Sequence, residues 1–130
     1  MKQAYLKSSF GIGSLIQHFN KTQLKKDVVV PRVGDFIKIG FEISEGQKTR
    51  IQTYKGFVIA IRGTGITKSI LLRRSSKGFC SERTVLMYSP QVKEFKILTH
   101  TNVRRSKLYY VRQLQGKRAR MLVGLSLIHI

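Results

Sequence analysis

The sequence is poor in four things, and each shortage withdraws support from a class of function. It has one cysteine, Cys80, so no disulfide can form within the chain and nothing in the thiol count points to secretion. Its three histidines, His18, His100 and His129, are scattered, and no Cys or His pair has the spacing of a metal site. No apolar run approaches the ~20 residues of a membrane-crossing helix, and the apolar tail 121–130, MLVGLSLIHI, is far too short. Acidic residues are the fourth shortage: 6 against 25 Lys and Arg, a net charge of +19 at pH 7. No carboxylate pair stands in a motif for general acid–base chemistry, and nothing matches a nucleophile elbow, a Walker loop or a dinucleotide fingerprint. Gly11-Ile12-Gly13-Ser14 is too short for a phosphate loop, and no strand precedes it. Cys80 has Glu82 and Arg83 beside it but no nearby His to activate it, so a buried structural thiol is expected. The residues support neither an enzyme nor a bound metal or cofactor.

What is present fits one small domain. The chain has 130 residues and 42% hydrophobic content, enough for a modest core. Its charge repels itself in a compact fold until a polyanion offsets it; nucleic acid is the first candidate and an anionic membrane surface the second. All six acids lie between Asp27 and Glu94, so both ends are purely basic. The densest run is 103–120, VRRSKLYYVRQLQGKRAR, with Arg104, Arg105, Lys107, Arg112, Lys117, Arg118 and Arg120 around Tyr109 and Tyr110. Guanidinium forks and mobile ammonium groups suit phosphate, and the tyrosines suit base stacking or anchoring in a core, with at least one expected to be core. Ser106 is expected to cap a helical turn over 107–115, ended by Gly116, with an extended basic arm beyond it.

Residues 1–31 read as an N-terminal arm. It is basic and Ser-containing, like a transit peptide, although such leaders favour Arg over Lys. Ser14-Leu15-Ile16-Gln17 fits a capping box, and Leu15, Ile16, Phe19 and Leu24 follow a helical face, which predicts a short amphipathic helix over 14–26. Packing on its own barrel is expected ahead of docking on RNA or a neighbouring protein, and ahead of targeting. Residues 32–99 read as five strands. Ile37, Ile39, Phe41 and Ile43 alternate with polar residues or glycine before a turn at 44–47. Residues 50–62 form a long strand with a bulge or bend at Gly56, placing Phe57, Ile59 and Ile61 on one side and Val58 and Ala60 on the other. Gly63-Thr64-Gly65 is a tight connection; strands follow at 70–74 and 82–88, the latter stopped by Ser89-Pro90, and around Phe95 and Ile97. Five short strands in this length favour a small barrel, mainly β. Arg62, Lys68, Arg73, Arg74, Lys77 and Arg83 gather around two turns as further candidate phosphate contacts. The tail 121–130 changes character abruptly: it is either a partner-binding plug or an artefact of sequence assembly.

The segments VGDFIKIGFEISEGQKTRIQTYKGFVIAIR, SERTVLMYSP and VRRSKLYYVRQLQGKRAR resemble the family of the nineteenth large-subunit ribosomal protein of bacteria and organelles. The marks are Pro31-x-x-Gly34-Asp35, Glu45-Gly46, Tyr54-x-Gly56, Ser89-Pro90 and Arg105-x-Lys107-Leu108-Tyr109-Tyr110, and the resemblance covers residues 31–120. It implies an SH3-like barrel bound to large-subunit rRNA and an intersubunit bridge to small-subunit rRNA. It also implies neighbours that resemble the third and fourteenth large-subunit proteins. The neutral Gln113-Leu114-Gln115 departs from a commonly more acidic stretch, and the arm before Asp27 and the tail after Met121 show no family counterpart. The basic leader favours an organelle, a mitochondrion ahead of a plastid, with a bacterium open. The alternative is a free-standing SH3-like nucleic-acid-binding factor.

Overall fold

The computed structural model describes residues 11–25, 28–76 and 79–114. Five strands, β1 (Phe36–Glu45), β2 (Lys48–Arg62), β3 (Ser69–Ser76), β4 (Phe79–Leu86) and β5 (Val92–Thr99), form one antiparallel sheet in the order β4-β3-β2-β1-β5. The period-two pattern of Ile37, Ile39 and Phe41 buries one face of β1, and Gly46-Gln47 turns it into β2, with Glu45 paired to Lys48.

The long β2 is the spine, pairing with β1 as far as Phe57 and with β3 from there on. Its irregularity falls at Ile59, not at the expected Gly56. Gly56 pairs in unbroken register with Ile37, while the β3 partners step from Val58–Leu72 to Ala60–Leu71. An extra residue reverses the alternation beyond it. Phe57 and Ile59 therefore share a small cluster with Leu108 and Val111, whereas Ile61, expected beside them, packs with Val58 in the main core. That core takes Ile37, Ile39, Phe41, Val58, Ile70, Leu72, Val85, Met87 and Val92, with Phe95 and Ile97 at its margin.

Among the described residues no ladder joins β4 to β5, so the expected barrel is not closed by hydrogen bonds. The sheet is nonetheless strongly curled. β4 and β1 are three strand spacings apart, about 14 Å on a flat sheet. Yet the Arg83 guanidinium of β4 stands 4.2 Å from the ring centroid of Phe41 in β1.

Several boundaries differ from expectation. β4 starts at Phe79 and ends at Leu86, before Ser89-Pro90, because Met87 turns inward and donates its N–H to the Lys68 carbonyl (3.0 Å). Cys80 is exposed, not buried: it pairs with Ser75 near the tip of the β3–β4 hairpin, beyond the reach of the core, beside the exposed Phe79. The helix α1 spans Ile12–Thr22. Gly11 precedes it, and Ser14 lies inside its first turn with Oγ donating to the Gly11 carbonyl (2.9 Å), so the capping box does not form. The expected packing on the barrel is slight: α1 lies beside the 3₁₀ turn Gly65–Thr67, but Ile12, Leu15, Ile16 and Phe19 are exposed and no residue of α1 is buried. The arm is instead fastened at Lys25, whose Nζ donates to the carbonyls of Ser89 (2.7 Å) and Val92 (2.9 Å).

The turn before β1 seats the chain leaving β5. Asp35, 1% exposed, accepts from the Arg32 (2.8 Å) and Thr101 (3.4 Å) amides and lies 3.2 Å from His100 Nδ1. Gly34 has φ +98°, and a Cβ there would fall 2.8 Å from Val103 Cγ1 and 3.0 Å from the Thr101 carbonyl. Only glycine accepts that backbone and leaves the segment room to cross.

Candidate nucleic-acid interface

The basic segment that follows β5 is seated on the β2 bulge. Ile59 has no partner in β3, and its carbonyl accepts the Leu108 N–H at 2.9 Å. Leu108 and Val111 bury themselves against Phe57 and Ile59. The chain then makes a 3₁₀ turn, Tyr109–Gln113, shorter than the helical turn expected over 107–115; Leu108 precedes it and Ser106 caps nothing.

Around this turn the fold assembles one polar network. Glu82, in β4, pairs across the ladder with Arg73, whose Nη1 donates to Oε1 at 2.8 Å. Arg112 donates Nε–H to both Glu82 oxygens (3.1 and 3.2 Å) and Nη2 to Oε2 (2.8 Å). The Tyr109 hydroxyl accepts from Arg62 Nε (3.2 Å) and from Arg62 Nη2. The Arg62 and Arg112 guanidinium groups lie 5.6 and 5.1 Å from the Tyr109 ring centroid. The Arg112 hydrogen bonds hold the Glu82 carboxyl below its usual range against partial desolvation, with Arg73 adding to them. Glu82 in turn raises Arg112, and the Arg62 hydrogen bond lowers the Tyr109 phenol.

Of the residues singled out in the sequence, Arg62, Arg73, Tyr109 and Arg112 thus meet in one place. The loop cations do not form a single patch, because neighbouring strand residues face opposite ways. Arg74 stands over Tyr54 (5.9 Å), whose hydroxyl lies 3.3 Å from Ser81 Oγ, and Arg83 covers Phe41 on the core side of the sheet. Lys68 is half-buried after the 3₁₀ turn Gly65–Thr67. Arg105 stacks on the exposed Tyr110 (5.1 Å) beside Asn102, Val103, Arg104 and Leu108, which line a surface depression of about 500 Å³. Arg104 and Lys107 are exposed and form no ion pair among the described residues. Lys77, Lys117, Arg118 and Arg120, and the 121–130 tail, lie outside the described residues.

Glu82 was not among the candidates in the sequence. Its signal is readable only with the hairpin register in hand, which sets it opposite Arg73. The other described acids are likewise engaged: Asp35 with His100, Glu42 with Lys93 (3.1 Å), Glu45 with Arg50 (2.7 Å) and Glu94 with Lys38 (3.2 Å). The remaining cations therefore have no carboxylate within the described chain to offset them. Among the described residues no three His, Cys, Asp or Glu side chains gather as a metal site, and no helix is long and apolar enough to cross a membrane.

The model of the family described as Ribosomal protein L19 matches residues 14–122. The large ribosomal subunit protein bL19 of Thermosynechococcus vestitus is 42% identical over 107 residues, covering 82% of this chain and 89% of its own. That of Prochlorococcus marinus strain MIT 9312 is 42% identical over 113 residues, 87% of this chain and 90% of its own. Cyanobacterial relatives point to a bacterium or a plastid, not to the mitochondrion that the basic leader favoured. The match opens at residue 14, so most of α1, which the sequence marks left outside the resemblance, is part of the shared region. With the family model and these relatives spanning most of its length, the chain belongs to the ribosomal protein L19 family.

Proposed function

We propose that this chain binds large-subunit ribosomal RNA through Arg104, Arg105 and Lys107 and the surrounding cations. It thereby acts as a structural, non-enzymatic constituent of the large ribosomal subunit, in a ribosome of bacterial or plastid type. Family membership supports the ribosomal role and the absence of enzymatic chemistry. The observation that carries the RNA reading is the state of these three side chains. They stand exposed on a segment anchored by Leu108, with no carboxylate to neutralise them among the described residues. Such cations position a protein on phosphates, while base contacts are secondary. Arg62, Arg73, Tyr109 and Arg112 form the root of this segment; Arg74, Arg83 and Lys68, which lie apart from it, and Lys77, Lys117, Arg118 and Arg120 are further phosphate contacts in this reading. In this reading the curled five-stranded sheet is an SH3-like barrel. It bridges to small-subunit rRNA at the subunit interface, beside proteins resembling the third and fourteenth of the large-subunit series.

Sedimentation tests the proposal. The intact chain co-migrates with large subunits at one copy each, and charge reversal of Arg104, Arg105 and Lys107 together strips it from them in a moderate-salt wash. Retention of the reversed variant, or sub-stoichiometric migration of the wild type as expected for a free-standing factor, overturns it.

A further inference from the structure

We infer that Glu82 is the positioning residue for the RNA-binding segment: its carboxylate ties Arg112 to the sheet and so sets Arg104, Arg105 and Lys107 in place before any phosphate arrives. The inference rests on the RNA-binding reading above and adds to it a mechanism of preorganisation.

Three observations carry it. First, Glu82 is the one described carboxylate that holds two arginines from two elements, Arg73 of β3 and Arg112 of the C-terminal turn. Its side chain is 23% exposed and that of Arg73 11%; Arg112, at 50%, reaches in from the solvent side and engages the carboxylate as a fork. A forked contact to a carboxylate already held from its buried side fixes geometry in a way that a single exposed pair does not. Second, beyond Thr101 and Val103, which Asp35 and Gly34 seat, the segment has few fastenings. Leu108 hangs from Ile59, Arg112 from Glu82, and the Tyr109 hydroxyl between them from Arg62. Third, the charge runs the wrong way for simple attraction. In a chain of net charge +19, a carboxylate at the root of a phosphate-binding segment weakens the pull on RNA. Its contribution to binding is therefore order, which lowers the entropy lost when the segment meets its partner.

The sign of one substitution separates these effects. By charge alone Glu82→Gln tightens binding to RNA; by position it loosens binding. In the free full-length chain, Glu82→Gln is expected to speed amide exchange at Leu108, Val111 and Leu114 by about tenfold while amides of the β1–β2 ladder stay protected. Affinity for large-subunit rRNA, read by filter binding, falls by about three- to tenfold as the segment is no longer preorganised. The slope of log affinity against log salt stays unchanged, because no phosphate contact is lost. Glu82→Asp, which keeps the carboxylate on a shorter stem, recovers part of both losses. Arg112→Gln breaks the same contact from the solvent side and reads out the exchange if Glu82→Gln fails to fold. Equal or tighter binding by Glu82→Gln, or unchanged exchange in the segment, overturns the inference. Failure of the wild type to bind rRNA sinks the RNA reading instead, and the exchange measurement still decides whether Glu82 holds the segment.

Discussion

α1 places Ile12, Leu15, Ile16 and Phe19 on a single stripe and buries none of them, whereas the segment after β5 buries Leu108 and Val111. An amphipathic helix makes its own backbone hydrogen bonds between its ends, although one of 11 residues is marginal by itself. A 3₁₀ turn of five residues has few internal hydrogen bonds and persists only where something else holds it. Here that support is the free carbonyl of the bulge residue Ile59 and the carboxylate of Glu82. Pattern builds the first element, and tertiary fastening builds the second. Only the second comes with its charges fixed in space.

The sharpest way to break this contrast is to remove the apolar anchor. Leu108→Ala leaves a cavity beside Phe57 and Ile59 and is expected to cost about 2–5 kcal/mol of unfolding free energy, measured by denaturant titration. A loss comparable to a surface change would mean that the segment is not part of the core. Acid acts next. Glu82 has a folded pKa held below its unfolded value, so its contribution is complete above the ordinary carboxylate range and is lost as pH falls through the depressed folded value. Protection of the Val111 and Leu114 amides, taken relative to their intrinsic exchange at each pH, should fall across that acidic window in the wild type and stay level there in Glu82→Gln. Equal acid sensitivity of the two would place the titrating group elsewhere. The smallest effect belongs to α1. Ile16→Ser should change stability by no more than about 0.5 kcal/mol, because that stripe is exposed and no residue of α1 is buried. A larger loss would show that the helix packs in solution.

The five strands were legible because period-two apolar runs between turn residues leave little choice, as at Ile37, Ile39 and Phe41. The helix is legible too, apart from its start: Ser14 has a capping residue's chemistry, but Gly11 holds the cap position and leaves Ser14 inside the first turn. What could not be read depends on register. Gly56 looks like the weak point of β2, yet the extra residue is Ile59, and only the β2–β3 pairing shows it. The division of Arg73 from Arg74, and the pairing of Arg73 with Glu82, follow from the same ladder. Cys80 looked buried by residue type and is exposed by its place at a hairpin tip. The basic run after β5 was visible as charge; the fastening that gives it a shape was not.

Salt dependence of binding reports the number of phosphates engaged, and so bears on the phosphate-contact role of the fixed segment without intermediaries. Affinity of the full-length chain for large-subunit rRNA should fall steeply with salt. Neutralising Arg104, Arg105 and Lys107 to Gln should reduce the log–log slope by about two to three units, since each phosphate contributes roughly 0.7 to 0.9. An unchanged slope in that triple variant would contradict the account.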